Sequence, residues 1–337
     1  MTSIRENRVP LYLLIRAFQI SRMIRLVADF GIADSIPSSG GCHVHKLAAA
    51  HSIDPAQLLR VLRALAAFDI FRVNVDGEVF HSPLSMRLRK DASDSLYYAA
   101  RFFAAPGPWK AWGELDTALR GNTPFDVACG ISRFDYLRSH PDEARIYDSF
   151  LAHFPDNTHN AIAATYDFSR ATLIVDIGGG NGEALRKILS VYSNPRGLVF
   201  DRGDVVEAIP PSALLGGRIK VQAGNFFKEV PKGADLYLLV RVLHNWPDEE
   251  CIQILRAVRA AMEADSRLLI ADHIIEPDPR IGNPLMYLLD IQMMALYGRA
   301  RERTEAEFDK LLADSGLKPV RAIPTESPVS IIEVVAD

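Results

Sequence analysis

The chain has 337 residues, 48% of them hydrophobic, and a net charge of −4. That supports sizeable cores in two domains, excludes global disorder and disfavours a general nucleic-acid binder. Its three cysteines, Cys42, Cys129 and Cys251, are odd in number and match no ligand spacing, so they read as free thiols of a reducing cytoplasm.

Leu11, Leu14, Ile15, Phe18, Ile24, Val27 and Phe30 recur at helical spacing, predicting one helix that Gly31 ends. Arg16, Arg22 and Arg25 lie within this run, which rules against a membrane span, and no signal peptide is legible. The apolar stripe fits either a core or a second subunit.

Residues 43 to 89 have a logic of their own. His45 to Ala50 and Pro55 to Ala67 read as two short helices, followed by a hairpin of Phe71 to Val75 and Glu78 to His81 around Asp76–Gly77. This is a winged-helix pattern. A regulator would present Gln57, Arg60 and Arg63 of the second helix to bases. The same helix carries Leu58, Leu59, Leu62 and Leu65, and the wing lacks a basic cluster, so a scaffold use is favoured and no nucleic acid is expected. Cys42, His43, His45 and His51 match no zinc pattern, and His43 and His45 are expected on alternate faces of an extended segment, so no metal is expected.

Tyr97 to Leu119 and Phe134 to Ala164 read as mainly helical, with breaks at Pro106–Gly107–Pro108 and at residues 121–124. Aromatics near a boundary at about residue 165 serve a core or stack on a flat substrate. Two domains are expected, 1–165 and 166–337.

Beyond residue 170 strand-like and helix-like runs alternate. Candidate strands are 173–177, 197–201, 219–223, 235–243, 267–272 and 329–335, an α/β doubly wound sheet whose ligands bind beyond the carboxyl ends of its strands. Asp176, Asp201, Asn225–Phe226, His244 and Asp272 fall at those ends. At the first end, Gly178, Gly180 and Gly182 form a G-x-G-x-G turn before a helix. Glu183 occupies the place of the third glycine of a dinucleotide fingerprint, and no G-K-[ST] follows. An acidic rim of Asp176 and Asp201 suits the cationic, phosphate-free S-adenosyl-L-methionine better than a nicotinamide cofactor or a purely structural turn. His244, followed by Asn245–Trp246–Pro247 and the acidic Asp248, Glu249 and Glu250 at the next helix start, points into the same cleft or serves as a loop histidine.

The run R-V-L-H-N-W-P-D-E-E-C, with V-D-I-G-G-G-N-G before it and R-E-R-T-E-A-E-F after it, resembles the small-molecule O-methyltransferases of the plant caffeic acid and bacterial antibiotic-pathway type. The resemblance spans nearly the whole chain. It implies a Rossmann-like methyltransferase domain behind a mainly helical winged-helix domain that builds a homodimer and closes the neighbouring subunit's pocket. It implies His244 as catalytic base, flanked by Asp272, where the family usually has glutamate, and by Glu302. Asp201 matches the ribose ligand, Asn225–Phe226 the adenine contacts, and Met293 the clamp on an aromatic acceptor. Phe150 and Phe154 fall on pocket positions. Asn225 and Asn245 each replace an aspartate, the latter beside the acceptor, and Arg241 is a further cofactor contact. A relative that hydroxylates in place of methylating, and a winged-helix regulator, are the competing readings.

Overall fold

The computed structural model describes residues 10–153 and 157–337, which pack as two compact units. A single cut at 165 differs from this division. Glu114–Gly130 belongs with the second unit, as does the segment that begins at Asp156.

In the first unit the expected long helix is two, α1 (Leu11–Ile15) and α2 (Ala17–Asp29), because Arg16 leaves helical geometry. Next come strand β1 (Gly41–His43), helices α3 (Val44–Ala50) and α4 (Pro55–Ala66), strands β2 (Phe71–Val73) and β3 (Glu78–His81), and helix α5 (Pro83–Met86). Strand order is β1-β3-β2, all antiparallel, so the wing has a third strand absent from the sequence reading. Asp54 caps α4 through Gln57 N–H. Its apolar face, Leu58, Leu62 and Leu65, lies in a core with Val27, Ile32, Leu47 and Phe71. His43 and His45 do not alternate. α3 starts at Val44, so His43 is its cap and accepts from His45 N–H, which stacks the two rings with centroids 5.2 Å apart.

The unit continues with α6 (Tyr97–Phe103), α7 (Pro106–Gly113), and, after the excursion through α8 (Pro124–Cys129), α9 (Arg133–Ser139) and α10 (Pro141–His153). The break expected at Pro106–Gly107–Pro108 falls just before it, between α6 and α7, and the three residues form the first turn of α7, where a missing N–H costs nothing. The buried Glu143 carboxylate holds that turn by accepting Gly107 N–H.

The second unit is built on a seven-stranded sheet. After α11 (Thr158–Thr165) come β4 (Leu173–Ile177), α12 (Glu183–Val191), β5 (Arg196–Asp201), α13 (Gly203–Val206), β6 (Ile219–Ala223), β7 (Leu236–Val240), α14 (Asp248–Ala261) and β8 (Arg267–Asp272). The remainder is α15 (Pro284–Tyr297), α16 (Glu305–Ala313), β9 (Leu317–Pro324) and β10 (Ser330–Ala336). Strand order is β6-β5-β4-β7-β8-β10-β9; the neighbours from β6 through β8 are parallel, and β10 and β9 pair antiparallel at the end. The edge strand β9 was not anticipated. Its two prolines, Pro319 and Pro324, break a strand pattern in sequence yet are tolerated at a sheet edge, where N–H groups face no partner.

Both faces of the sheet are covered, which explains the uninterrupted apolar runs. Tyr237 and Leu239 face α14 and α16, while Leu236 and Leu238 face the opposite core with Ile188 and Leu189 of α12. The chain passes from β4 outward to β5 and β6, then returns to β7 on the other side of β4, leaving a crevice where the order reverses.

Tyr237 is fully buried, and its hydroxyl is shared between the carbonyls of Pro231 and Ala261. Tyr237→Phe strips those carbonyls of their donor and is expected to cost about 1–2 kcal/mol. Urea unfolding reads this as a lower midpoint at unchanged slope.

Candidate active site

The glycine turn sits where β4 meets the crevice. Gly178, Gly180 and Gly182 all have positive φ, of 67°, 54° and 77°, a region that only glycine enters without strain. Gly178 N–H donates to the Phe200 carbonyl of β5, and a side chain at Gly178 would meet Val242 and Phe226. A Cβ on Gly180 would meet nothing, so that backbone borders open space.

Two carboxylates border the turn. Asp201 accepts Gly180 N–H at 2.9 Å and Arg202 N–H at 2.7 Å. Burial pushes its carboxyl up, against the pull of those two donors. Asp176 lies deeper. Alternation along β4 turns it to the apolar α11–α12 side, beneath Gly179, and neither of its buried carboxylate oxygens has a hydrogen-bond partner. Burial, then the neighbouring Asp201, pushes it up to about 7. An unpartnered buried carboxylate under a glycine cradle is a feature a cationic ligand would relieve.

Beyond β7 the expected strand stops at Val240, not Leu243. Arg241 adopts φ of 54° while its N–H still bonds Ala271 of β8. This turns the chain so that Leu243–Asn245 form one tight helical turn, with Pro247 as the residue capping α14. His244 is thereby buried. Its Nδ1 stands 2.8 Å from Glu302 Oε1 and 3.6 Å from Asp272 Oδ1. Burial opposes a charged imidazole here, but Asp272 and Glu302 outweigh it and hold its pKa above the ordinary 6.5. Glu302 is correspondingly driven well below the carboxylate range in spite of its burial. Asp272 is raised, by burial first.

The sequence-derived residues divide accordingly. Asp176, the three glycines and Asp201 gather at the ends of β4 and β5, and His244, Asp272 and Glu302 gather at the ends of β7 and β8. Val242, reaching Gly178, joins the two groups. Asn225 is exposed and its Oδ1 accepts Phe227 N–H, closing the turn after β6. Phe226 packs edge-on to Phe227 and Trp246. Asn245 donates to the Arg241 carbonyl. Met293 is buried on α15. Phe150 belongs to the first unit, stacked on Phe102 with centroids 4.3 Å apart. Phe154 lies outside the described residues.

Three positioning groups were missed. Arg303 is fully buried and donates to the Leu243 and Trp246 carbonyls and to Asp248. Cys251 Sγ donates to the same two carbonyls. His273 lies on the far side of Glu302, with its Nδ1 3.6 Å from Oε2. Arg303 and His273 both stood beside residues already singled out, but nothing in spacing shows that a side chain reaches back to a loop 60 residues away.

With two layers of helix on this parallel sheet, a glycine turn lacking a phosphate fingerprint and a carboxylate-backed histidine, the second unit is a Rossmann-like methyltransferase domain. The chain belongs to the O-methyltransferase family: residues 110–318 match the O-methyltransferase domain and residues 12–91 the O-methyltransferase dimerisation domain. It is 33% identical to the mitomycin biosynthesis 6-O-methyltransferase of Streptomyces lavendulae over 93% of this chain and 90% of that one. The solved mitomycin 7-O-methyltransferase MmcR superposes with TM-score 0.90 at 32% identity, covering 97% of both chains. The neocarzinostatin-pathway O-methyltransferase NcsB1, solved with S-adenosylmethionine and 2-hydroxy-5-methyl naphthoic acid, superposes at 0.82 with 27% identity, covering 94% of this chain and 96% of that one. The cofactor is S-adenosylmethionine, and the unpartnered Asp176, the open Gly180 and Asp201 fit it.

Arg303→Met would leave the Leu243 and Trp246 carbonyls without their main donor and is expected to lower stability by about 2–4 kcal/mol. Thermal unfolding checks this, with Arg303→Lys recovering only part of the loss because one ammonium cannot span the same acceptors.

Proposed function

We propose that this enzyme methylates a hydroxyl of a flat aromatic secondary metabolite, with His244 as general base. The observation that carries the reading is the buried imidazole whose Nδ1 meets Glu302 at 2.8 Å, two residues past Val242, the valine that reaches the glycine turn. An Nδ1–H donated to Glu302 leaves Nε2 as the proton acceptor. The mitomycin and naphthoic acid chemistry of the relatives supports an aromatic acceptor.

When bound, S-adenosylmethionine supplies an electrophilic methyl group on a sulfonium. Asp201 takes the ribose hydroxyls, Asn225 and Phe226 contact adenine, and Arg241 is a further contact. The Asp176 carboxylate and the backbone of Gly178, Gly180 and Gly182 form the floor for the cationic end. Met293, Asn245, Phe150 and Phe154 are assigned to the acceptor, and the dimerisation domain to a homodimer. The exposed Leu11, Tyr12, Leu14, Ile15 and Phe18 support that pairing.

Full proton transfer from a phenol of pKa about 10 to an ordinary imidazole of about 6.5 is uphill by roughly 4.8 kcal/mol. Asp272 and Glu302 narrow that gap by raising His244. The methyl step then cancels a phenolate against a sulfonium, a loss of charge that a water-excluding site favours, and in-line positioning supplies much of the remainder.

Incubation with methyl-labelled S-adenosylmethionine and hydroxylated aromatics, followed by mass spectrometry, tests the reading; cofactor binding without any labelled product from a broad acceptor set would sink it. His244→Ala is expected to lower kcat by about 10²–10⁴. The base must be unprotonated, so kcat/KM falls as pH drops through its raised pKa, above 6.5. Glu302→Gln removes part of what raises it and is expected to move that acid limb to lower pH while lowering the plateau. Asp201→Ala, losing two charge-assisted hydrogen bonds to the ribose, is expected to weaken cofactor binding by about 10- to 100-fold in calorimetry.

A further inference from the structure

Behind the proposed base lies more ligating capacity than a base requires. His244, Asp272, His273 and Glu302 are all buried, and each offers one ligand atom within 4.8 Å of all the others. Three polar atoms of this group, Asp272 Oδ2, His273 Nδ1 and Glu302 Oε2, are buried without a hydrogen-bond partner. Leaving such atoms unmatched is costly, and a cation meets all of them at once.

We propose that these four residues form a transition-metal site that takes Zn²⁺ and, when filled, arrests the enzyme by capturing its histidine base. Two imidazoles and two carboxylates are a borderline donor set, which selects zinc over the oxygen-preferring calcium and magnesium. Around tetrahedral zinc at about 2.0–2.1 Å, neighbouring ligand atoms stand about 3.4 Å apart. Two edges of the cluster already have nearly that length, His244 Nδ1 to Asp272 Oδ1 and His273 Nδ1 to Glu302 Oε2, both 3.6 Å. With Oε2 as the Glu302 ligand, the hydrogen bond from His244 Nδ1 to Glu302 Oε1, 2.8 Å long, must break as the metal takes Nδ1.

The charge also balances. Two carboxylates neutralise one dication, and Arg241, which acts on both His244 and Asp272, adds one further positive charge beside them. The backbone holds the ligands in place independently of any metal. Asp272 ends β8 and His273 follows it directly, Ile275 N–H bonds the Arg303 carbonyl, and Glu302 N–H is fixed by Asp290.

Metal on His244 Nδ1 would move the ring proton from Nδ1 to Nε2, so Nε2 would carry a hydrogen and have no lone pair left to act as a base. The arrest, though not the binding, rests on His244 serving as base in methyl transfer.

The full-length protein, stripped with chelator, would be titrated with Zn²⁺ by calorimetry and with Co²⁺ by visible absorption, and methyl transfer followed at each zinc concentration. The expected result is one zinc per chain, a tetrahedral cobalt spectrum and progressive loss of turnover that chelator restores. His273→Ala is expected to weaken zinc binding 10- to 100-fold, the usual cost of a lost partner at a metal site, and to raise the inhibiting zinc concentration in proportion. Should that variant fail to fold, the isosteric Asp272→Asn reads the same affinity. No zinc bound by the wild type, or binding unchanged in either variant, overturns the site. One zinc per chain with turnover undiminished overturns the arrest. Turnover surviving in His244→Ala while the wild type still binds zinc would remove the base reading and leave the site standing.

Discussion

Burying a carboxylate costs several kcal/mol unless a donor or a positive charge meets it, and Glu302 is met on one side by His244 and approached on the other by His273. That shared carboxylate is the constraint on which the site depends. It fixes which imidazole nitrogen carries the proton, and with Asp272 it raises the basicity of the ring against the desolvation that would lower it. A histidine with the same exposure and no such partners would be a weaker base than histidine in water. Its raised basicity therefore depends on a residue 58 positions away in sequence.

Holding that geometry takes more than the pair. The loop that presents His244 leaves β7 through a left-handed Arg241, and its outward carbonyls at Leu243 and Trp246 would be stranded in the interior. Arg303 and Cys251 both donate to those carbonyls. Arg303 also follows Glu302 directly, so one dipeptide supplies the acid that orients the ring and the cation that fixes the ring's loop. A change at either position is felt at the other through the backbone between Asp290 and Ile275.

The parallel part of the sheet was legible because burial on both faces writes a continuous apolar run, as in Leu236 to Val240, and because the acidic and glycine punctuation falls at strand ends. Long-range returns were not legible. β9 carries prolines that only an edge position excuses, and the third strand of the wing is three residues long. The tight turn at His244 hid inside an apolar run that reads as strand through Leu243, since Val242 and Leu243 are buried whichever way the backbone runs. The strand pattern placed His244 and Asp272 at strand ends, while Glu302 and the roles of all three came only from the family pattern. Arg303, Cys251 and His273 carry no periodic or compositional mark at all, because their roles are defined by partners distant in sequence.

The two carboxylate pairs of this unit place opposite demands on charge. At the ends of β4 and β5, Asp176 and Asp201 repel each other, and burial leaves Asp176 near pH 7. A cationic ligand would relieve that pair by drawing both to the charged form. At the ends of β7 and β8, Asp272 and Glu302 already have imidazoles to stabilise their charge. The two groups are separated by the short distance that Val242 bridges to Gly178. A positive ligand at the turn opposes a positive imidazole beyond it, so cofactor bound there would act against the carboxylates that raise His244. On the proposed reading, the same electrostatics that would gather a sulfonium would also favour the unprotonated imidazole.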